Sequence, residues 1–344
     1  MHNEAIDFVI TWVDGNDPEW ITEKEKYQRS LAGSSWKEWS SGSKRFRDWN
    51  LLRYWFRGVE KFAPWVNRIH FVTWGHYPNW LNINHPKLNI VRHADYIPIQ
   101  YLPTFNSHTI ELNFHRIPGL AEEFVYFNDD VFLVKPTNER DFFRHGLPCD
   151  FAALSPGYLD RHRTDYMPYD AMIINDHFNK TEVMKKRWWQ WFNLRYGIKT
   201  NLRTLSLMGC RKFPGFQTNH LTMCFLKRTF ETLWEKEFEE LDKSCLDRFR
   251  GFYGIGPYLL RDWQRVSGSF VPCSPDHSAY LGVSALSSRD NESLVRAAIG
   301  RGKHKRICLN DECDSEEDFQ FWSNVAHEAF ESLLPTVSSF EVTP

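Results

Sequence analysis

Apolar positions along the chain fall first into short continuous runs and later into helical stripes. Ile6 to Val13 (IDFVITWV) is a nearly unbroken, β-branched run without strict alternation, the pattern of a strand buried on both faces of a sheet. Asp14-Gly15-Asn16 follows with turn chemistry. Asp17-Pro18 then supplies an N-cap and a first-turn proline for a helix predicted to reach about Leu31 and stop near Gly33. Ser34 to Lys44 is polar and serine-rich and reads as a loop. From Arg45, the positions Trp49, Leu52, Phe56 and Val59 recur at helical spacing and end before Pro64. Ile69 to Thr73, Leu88 to Val91 and Phe124 to Phe127 are further strand candidates, the last broken off by Asn128-Asp129-Asp130. Strands alternating with helices predict an α/β fold with a mainly parallel sheet flanked by helices.

Past about residue 150 the pattern turns helical. Lys180 to Tyr196 is basic and rich in tryptophan, and Leu221 to Leu241 is one long amphipathic stretch. Ser284 to Lys305 is polar and basic, and an acidic patch (Asp311, Glu312, Asp314, Glu316, Glu317, Asp318) precedes a final helix. A core over 1–150 and a helical region over 151–344 are expected, with one enlarged domain as the alternative.

Composition narrows the function classes. Lys and Arg number 42 against 44 Asp and Glu, a net charge of −2, so bulk charge does not hold a nucleic acid or an anionic membrane. No run reaches the ~18–20 apolar residues of a membrane span, and the first residues lack a signal peptide's basic region, so a cytoplasmic chain is expected. Seven cysteines with no CxxC pair argue against a disulfide framework. His304, Cys308 and Cys313 raise a zinc question but lack a second paired half. Aromatic residues make up 16% of the chain; beyond the core's needs, their flat faces suit sugar and base rings. Trp188, Trp189 and Trp191 beside Lys185, Lys186 and Arg187 fit either a membrane or glycan contact or a half-buried helix.

In open α/β sheets ligands bind beyond the carboxyl ends of the strands. Two such ends carry chemistry. Trp12-Val13-Asp14-Gly15 offers a ring to stack, a carboxylate for a ribose or base and a glycine for close approach, although a plain turn has the same letters. Asn128-Asp129-Asp130 places adjacent carboxylates where a hard divalent cation bridging a diphosphate would sit; a solvated turn is the bland reading. On a helix Glu111 shares a face with His115 and with Ser107, which with Arg116 makes an acid/base and phosphate-holding set. His220 either caps a following helix or serves as a base. Arg248 and Arg250, beside the glycines at 251, 254 and 256, are candidate phosphate holders.

Together these segments resemble the Stealth family, the hexose-1-phosphate transferases of bacterial capsule and surface-polysaccharide synthesis, which includes the animal lysosomal-enzyme N-acetylglucosamine-1-phosphotransferase. IDFVITWVDG (6–15) is similar to the family's first block. RFRDWNLLRY (45–54), APWVNRIHFVTWG (63–75), LPTFNSHTIE (102–111), HRIPGL (115–120) and YFNDDVFL (126–133) are similar to its second. FPGFQTNHLTMCFLKRTFETLWEKEF (213–238) with RFR (248–250) resembles the third, and ICLNDECD (307–314) the fourth.

The resemblance implies a GT-A or Rossmann-like core that binds a nucleotide sugar, with helical C-terminal additions completing the acceptor and catalytic region. It implies transfer of a hexose- or N-acetylhexosamine-1-phosphate from a UDP-sugar to an acceptor sugar hydroxyl. UMP would be released and a phosphodiester made. Glu111, Asp130, His220 and Arg250 stand at the family's catalytic positions, with either His220 or Glu111 as the base. Trp12, Asp14, Gly15, Asp48, Arg53, Asn106, Ser107, Arg116 and Asn128 are the implied substrate-binding set. Asp129, Asp130 and Asp311 are the implied ligands of Mg²⁺ or Mn²⁺. The implied acceptor is an oligosaccharide or polysaccharide, including a lipid-linked one reached from the inner face of the cell membrane, and no nucleic acid is involved. Pro156 to Leu207 and Cys273 to Lys305 vary among members, so the resemblance carries no acceptor specificity. The residue types alone also fit a metal-dependent glycosyltransferase releasing UDP, or a carbohydrate-binding protein without catalysis.

Overall fold

A computed structural model describes residues 4–30, 47–156, 167–250, 254–275, 278–281, 288–311, 313 and 315–342. The loop expected at 34–44, the helix end near Leu31 and Gly33, Gly251, Glu312 and Asp314 lie outside the described residues. The strands are β1 (Ile6–Thr11), β2 (Ile69–Thr73), β3 (Leu88–Arg92), β4 (Glu123–Phe127), β5 (Val131–Leu133), β6 (Phe143–Arg144), β7 (Leu147–Asp150), β8 (Met223–Leu226), β9 (Val271–Pro272), β10 (Ser278–Leu281) and β11 (Arg306–Leu309).

The main sheet runs β3-β2-β1-β4-β8, with β8 antiparallel to β4 and every other pairing parallel. Phe8 lies opposite both Ile69 and Val125 across β1. Successive residues of β1 feed two cores: Ile6, Phe8 and Ile10 face the first, Val9 the second. Burial on both faces explains the missing alternation in the sequence. The first core is closed by the helix Leu52–Phe62 and the C-terminal helix Glu316–Leu333, the second by the helices Lys227–Lys236 and Pro257–Ser267. The expected mainly parallel sheet, flanked by helices and extended by C-terminal helices, is therefore the fold. Among the described residues, strands from both sides of residue 150 share all three sheets: β4 pairs with β8, β5 with β11 and β7 with β9.

β1 is followed by β2 and β3 on one side, after which the chain returns to place β4 on β1's other edge. That reversal opens a crevice beyond the carboxyl ends of β1 and β4. β5 leaves directly from the Asn128–Asp130 turn and pairs with β11, whose Leu309 N–H donates to Asp130 O at 2.8 Å. The end of β11 is thereby fixed against the same crevice.

Two local expectations are corrected, and one stretch gains detail. The helix expected from Arg45 begins at Leu52, because Asn50 is in the left-handed region (φ 55°) and breaks the helical path; Trp49 is buried nonetheless. The amphipathic stretch expected over Leu221–Leu241 opens as strand β8, four fully buried residues, before the helices Lys227–Lys236 and Phe238–Leu246. A short apolar run buried on both faces is strand chemistry. Lys180 to Tyr196 divides into short turns of helix at Lys180–Lys186, Trp188–Trp191 and Leu194–Tyr196.

Candidate active site

A cavity of about 480 Å³ occupies the crevice, a volume suited to a nucleotide-sized ligand. Glu111, Asp130, His220 and Arg250 all line it, together with Trp12, Asp48, Ser107, Asn128, Asp129 and Asp311. They arrive on several elements. Trp12 follows β1 and Asn128 to Asp130 follow β4, while Ser107 and Glu111 lie one turn apart on the helix Ser107–Leu112. His220 precedes β8, and Asp311 follows β11.

Tyr126, at the end of β4, links them. Its hydroxyl stands 2.9 Å from Glu111 Oε1, 2.5 Å from Asn128 Oδ1 and 3.2 Å from Thr11 Oγ1. Asn128 Nδ2 then lies 3.3 Å from His220 Nε2, and the same imidazole nitrogen is 3.2 Å from Asp130 Oδ2. On the other side of the ring, Nδ1 is 3.4 Å from the Tyr258 hydroxyl. Arg250 donates from Nε to Ser107 Oγ at 3.1 Å and also from Nη2 to that oxygen.

Charge is poised rather than neutralised here. Burial pushes the Glu111 carboxyl up to about 7, against the opposing pull of the Arg250 charge and the Tyr126 hydroxyl. Burial, reinforced by the Asp130 and Asp48 charges, pushes Asp129 up to about 7. For His220 burial disfavours the imidazolium, but the charge and hydrogen bond of Asp130 outweigh it and hold the ring above its ordinary value. Asp48 is raised by burial while Trp12 Nε1 donates to its Oδ2 at 3.0 Å.

Glu111 makes a stability prediction. Between pH 4.5 and about 7 the native carboxyl holds a proton that the unfolded chain has released, so stability falls as pH rises through this window. Glu111→Gln removes that loss, which is at most roughly 3 kcal/mol at ~1.4 kcal/mol per pH unit. Urea unfolding should find the variant more stable than the parent at pH 8 and equal to it near pH 4; equal stability at both would refute the shift.

The cavity's oxygen donors fit a divalent cation. Asp130 Oδ1 is buried without a hydrogen-bond partner, next to the raised carboxyl of Asp129, the state expected of carboxylates placed for a positive charge. Asp311 is committed differently: Arg47 grips it through Nε at 2.8 Å and Nη2 at 2.9 Å. The zinc question over His304, Cys308 and Cys313 takes another form. Cys308 groups instead with Asp130 and His220, their ligand atoms within 4.8 Å of one another, and its thiol donates to Asp130 Oδ2 at 3.3 Å.

Several expected residues do not line the cavity. Arg53 lies over the Trp80 ring at 5.1 Å, and Arg116 over the Trp234 ring at 4.9 Å. Asn106 caps its helix, its side chain accepting from His108 N–H at 3.1 Å. Asp14 closes the turn containing Gly15 by accepting from Asn16 N–H at 2.9 Å. His115 does not share a face with Glu111, because the helix ends at Leu112. It packs instead against Phe230 and Trp234, where burial drives its pKa down to about 3. Sequence reasoning missed Tyr126, Tyr258 and Arg47, and it set Cys308 beside the wrong partners. Tyr126, Arg47 and Cys308 lie inside the quoted blocks, so adjacency to the named acids was the available signal.

Residues 4–32 match Stealth protein CR1, conserved region 1, and residues 45–149 match Stealth protein CR2, conserved region 2. The capsular polysaccharide phosphotransferase WcwK of Streptococcus pneumoniae is 37% identical over 98% of both chains. The receptor polysaccharide phosphotransferase WefC of Streptococcus gordonii is 40% identical over 98% of this chain and 99% of its own. Among solved structures, the galactosyltransferase LgtC in complex with donor and acceptor sugar analogues is similar at a TM-score of 0.41 and 11% identity, covering 97% of this chain and 98% of that one. Two matched conserved regions, with relatives alike from end to end, establish that this chain belongs to the Stealth family.

Proposed function

We propose that this chain is a polysaccharide phosphotransferase that moves a hexose- or N-acetylhexosamine-1-phosphate from a UDP-sugar to a hydroxyl of an acceptor oligosaccharide or polysaccharide, releasing UMP. The observation that carries this reading is the convergence of Glu111, Asp130, His220 and Arg250 in one cavity at the sheet's reversal point. A binding protein has no need of a raised carboxyl, a base and a guanidinium around one space.

In this reaction the acceptor oxygen attacks the β-phosphorus, the bond to UMP breaks, and the anomeric C–O bond keeps its configuration. Such transfers depend on positioning and charge stabilisation. Arg250, anchored by Ser107, offers its guanidinium to the phosphoryl oxygens. His220 takes the acceptor's proton. Its side chain is 39% exposed, whereas Glu111 is only 4% exposed and turned into the Tyr126–Asn128 network, which suits Glu111 to orient the site. When bound, Mg²⁺ or Mn²⁺ held by Asp130 with Asp129 would offset the charge of the diphosphate. Trp12 and Asp48, joined by the hydrogen bond from Trp12 Nε1 to Asp48 Oδ2, would meet the nucleotide.

The setting follows from the same reading: a cytoplasmic reaction at the inner face of the membrane, with a lipid-linked acceptor. Among the described residues, no helix is long and apolar enough to cross a membrane.

The test is a panel of UDP-sugars mixed with the purified protein, Mg²⁺ or Mn²⁺ and an oligosaccharide acceptor, with the released nucleotide weighed by mass spectrometry. UMP is the expected product. UDP would mean glycosyl transfer, and a panel that releases no nucleotide would leave only carbohydrate binding.

A further inference from the structure

The segment between β7 and β8 carries a surface that the proposed chemistry does not use. Among its exposed residues are Trp188, Trp189, Leu194, Ile198, Leu202 and Leu205, with Leu194 98% and Ile198 80% exposed. Ile198, Leu202 and Leu205 are spaced as one stripe of the helix Ile198–Ser206. A folded chain ordinarily turns such a stripe inward, yet here the inward residue is Thr204, fully buried, with its hydroxyl accepting from Leu154 N–H at 3.2 Å.

Hydrogen bonds tie these short elements into one platform. Asn193 Nδ2 donates to Trp189 O at 3.2 Å, Asn201 Nδ2 to Asn193 O at 2.9 Å, and the Tyr196 hydroxyl to Gln190 O at 2.6 Å. Lys180 Nζ spans the carbonyls of Leu207, Met208 and Cys210. Arg203 in turn donates to Gln217, three residues before His220. The platform is thus joined to the segment before β8 that carries the candidate base.

Its charge is equally one-sided. From 180 to 212 the chain holds nine lysines and arginines against one acid, Glu182, a net charge of +8 within a protein whose net charge is −2. Lys185, Lys186, Arg195, Lys199, Arg211 and Lys212 are all exposed. Bulk composition hides this, because the acidic residues lie elsewhere in the chain.

We infer that this platform is a membrane-docking surface that seats the enzyme on an anionic lipid bilayer, its tryptophan, leucine and isoleucine side chains entering the headgroup boundary and its lysines and arginines meeting lipid phosphates. Charge complementarity selects this occupant. A second copy of the chain would bring eight like charges against eight. A soluble polyanion would pair with the cations but leave the apolar stripe in water. A bilayer rich in anionic lipid satisfies both halves at once. The inference stands on the make-up of the surface and not on the phosphotransfer reading.

Flotation of the full chain with phosphatidylcholine–phosphatidylglycerol vesicles, and with phosphatidylcholine vesicles alone, tests it without any turnover. The chain should float with the mixed vesicles and much less with the neutral ones. Each cation removed, as in Lys185→Gln or Lys199→Gln, should weaken partitioning about fivefold at low salt. Ile198→Glu with Leu202→Glu should abolish flotation while leaving circular dichroism unchanged, since both positions are exposed. Three results would overturn the inference: no flotation on anionic vesicles, flotation that survives the double substitution, or a concentration-dependent dimer that the double substitution dissolves.

Discussion

Replacing Arg250 by alanine should lower kcat by roughly 10³-fold or more, the cost of removing a guanidinium from a phosphoryl transfer. Among the described residues lining the cavity nothing else repeats its position beside Ser107, since Arg47 is spent on Asp311. The loss has a second part. The Arg250 charge is the strongest influence holding the Glu111 carboxyl down, so without it Glu111 keeps its proton to higher pH. Arg250→Lys restores the charge but not the planar fork, and should recover Glu111's ionisation while recovering only part of the rate. Steady-state kinetics of the two variants, with UMP release as readout, decide the matter. A rate for Arg250→Ala within tenfold of the parent would remove the residue from the mechanism.

The other large effect is expected at His220. As general base it should contribute roughly 10²–10⁴-fold, so His220→Ala should fall by that factor in kcat with a smaller change in donor KM. Added imidazole should restore part of the rate, because the substitution leaves space at a half-exposed position; a purely structural histidine would not respond in this way. Glu111→Gln should be the milder lesion, as its oxygen acts through the Tyr126 hydroxyl. Should Glu111→Gln be inactive while His220→Ala turns over normally, the two roles are exchanged.

Legibility along the chain followed the locality of the interactions. β1, β2 and β4 were readable because each is a mostly apolar run whose burial on both faces leaves a continuous signature, and β3, a half-buried edge strand, was readable from its Leu88, Ile90 and Val91. β8 was not, because four apolar residues followed by a strong helical stripe read as one amphipathic stretch. Arg116 and Arg53 carried the right chemistry in the right blocks, but their guanidinium groups lie over Trp234 and Trp80. A stacking partner more than twenty residues away leaves no trace in local pattern. His115 failed for a related reason: its spacing from Glu111 assumed a continuous helix, and the helix stops at Leu112.

What the sequence determined by itself was the kind of layered fold and the candidate chemical groups, since strand burial, turn residues and charged side chains are properties of neighbouring residues. Tertiary structure alone decided which groups share a space. The reversal of the sheet at β1 and β4, the antiparallel return of β8 and the pairing of β11 with β5 bring residues 111, 130, 220 and 250 to one cavity. The same packing set the ionisation of Glu111, Asp129 and His220, because desolvation and nearby charges depend on what lies across space and not on what lies along the chain.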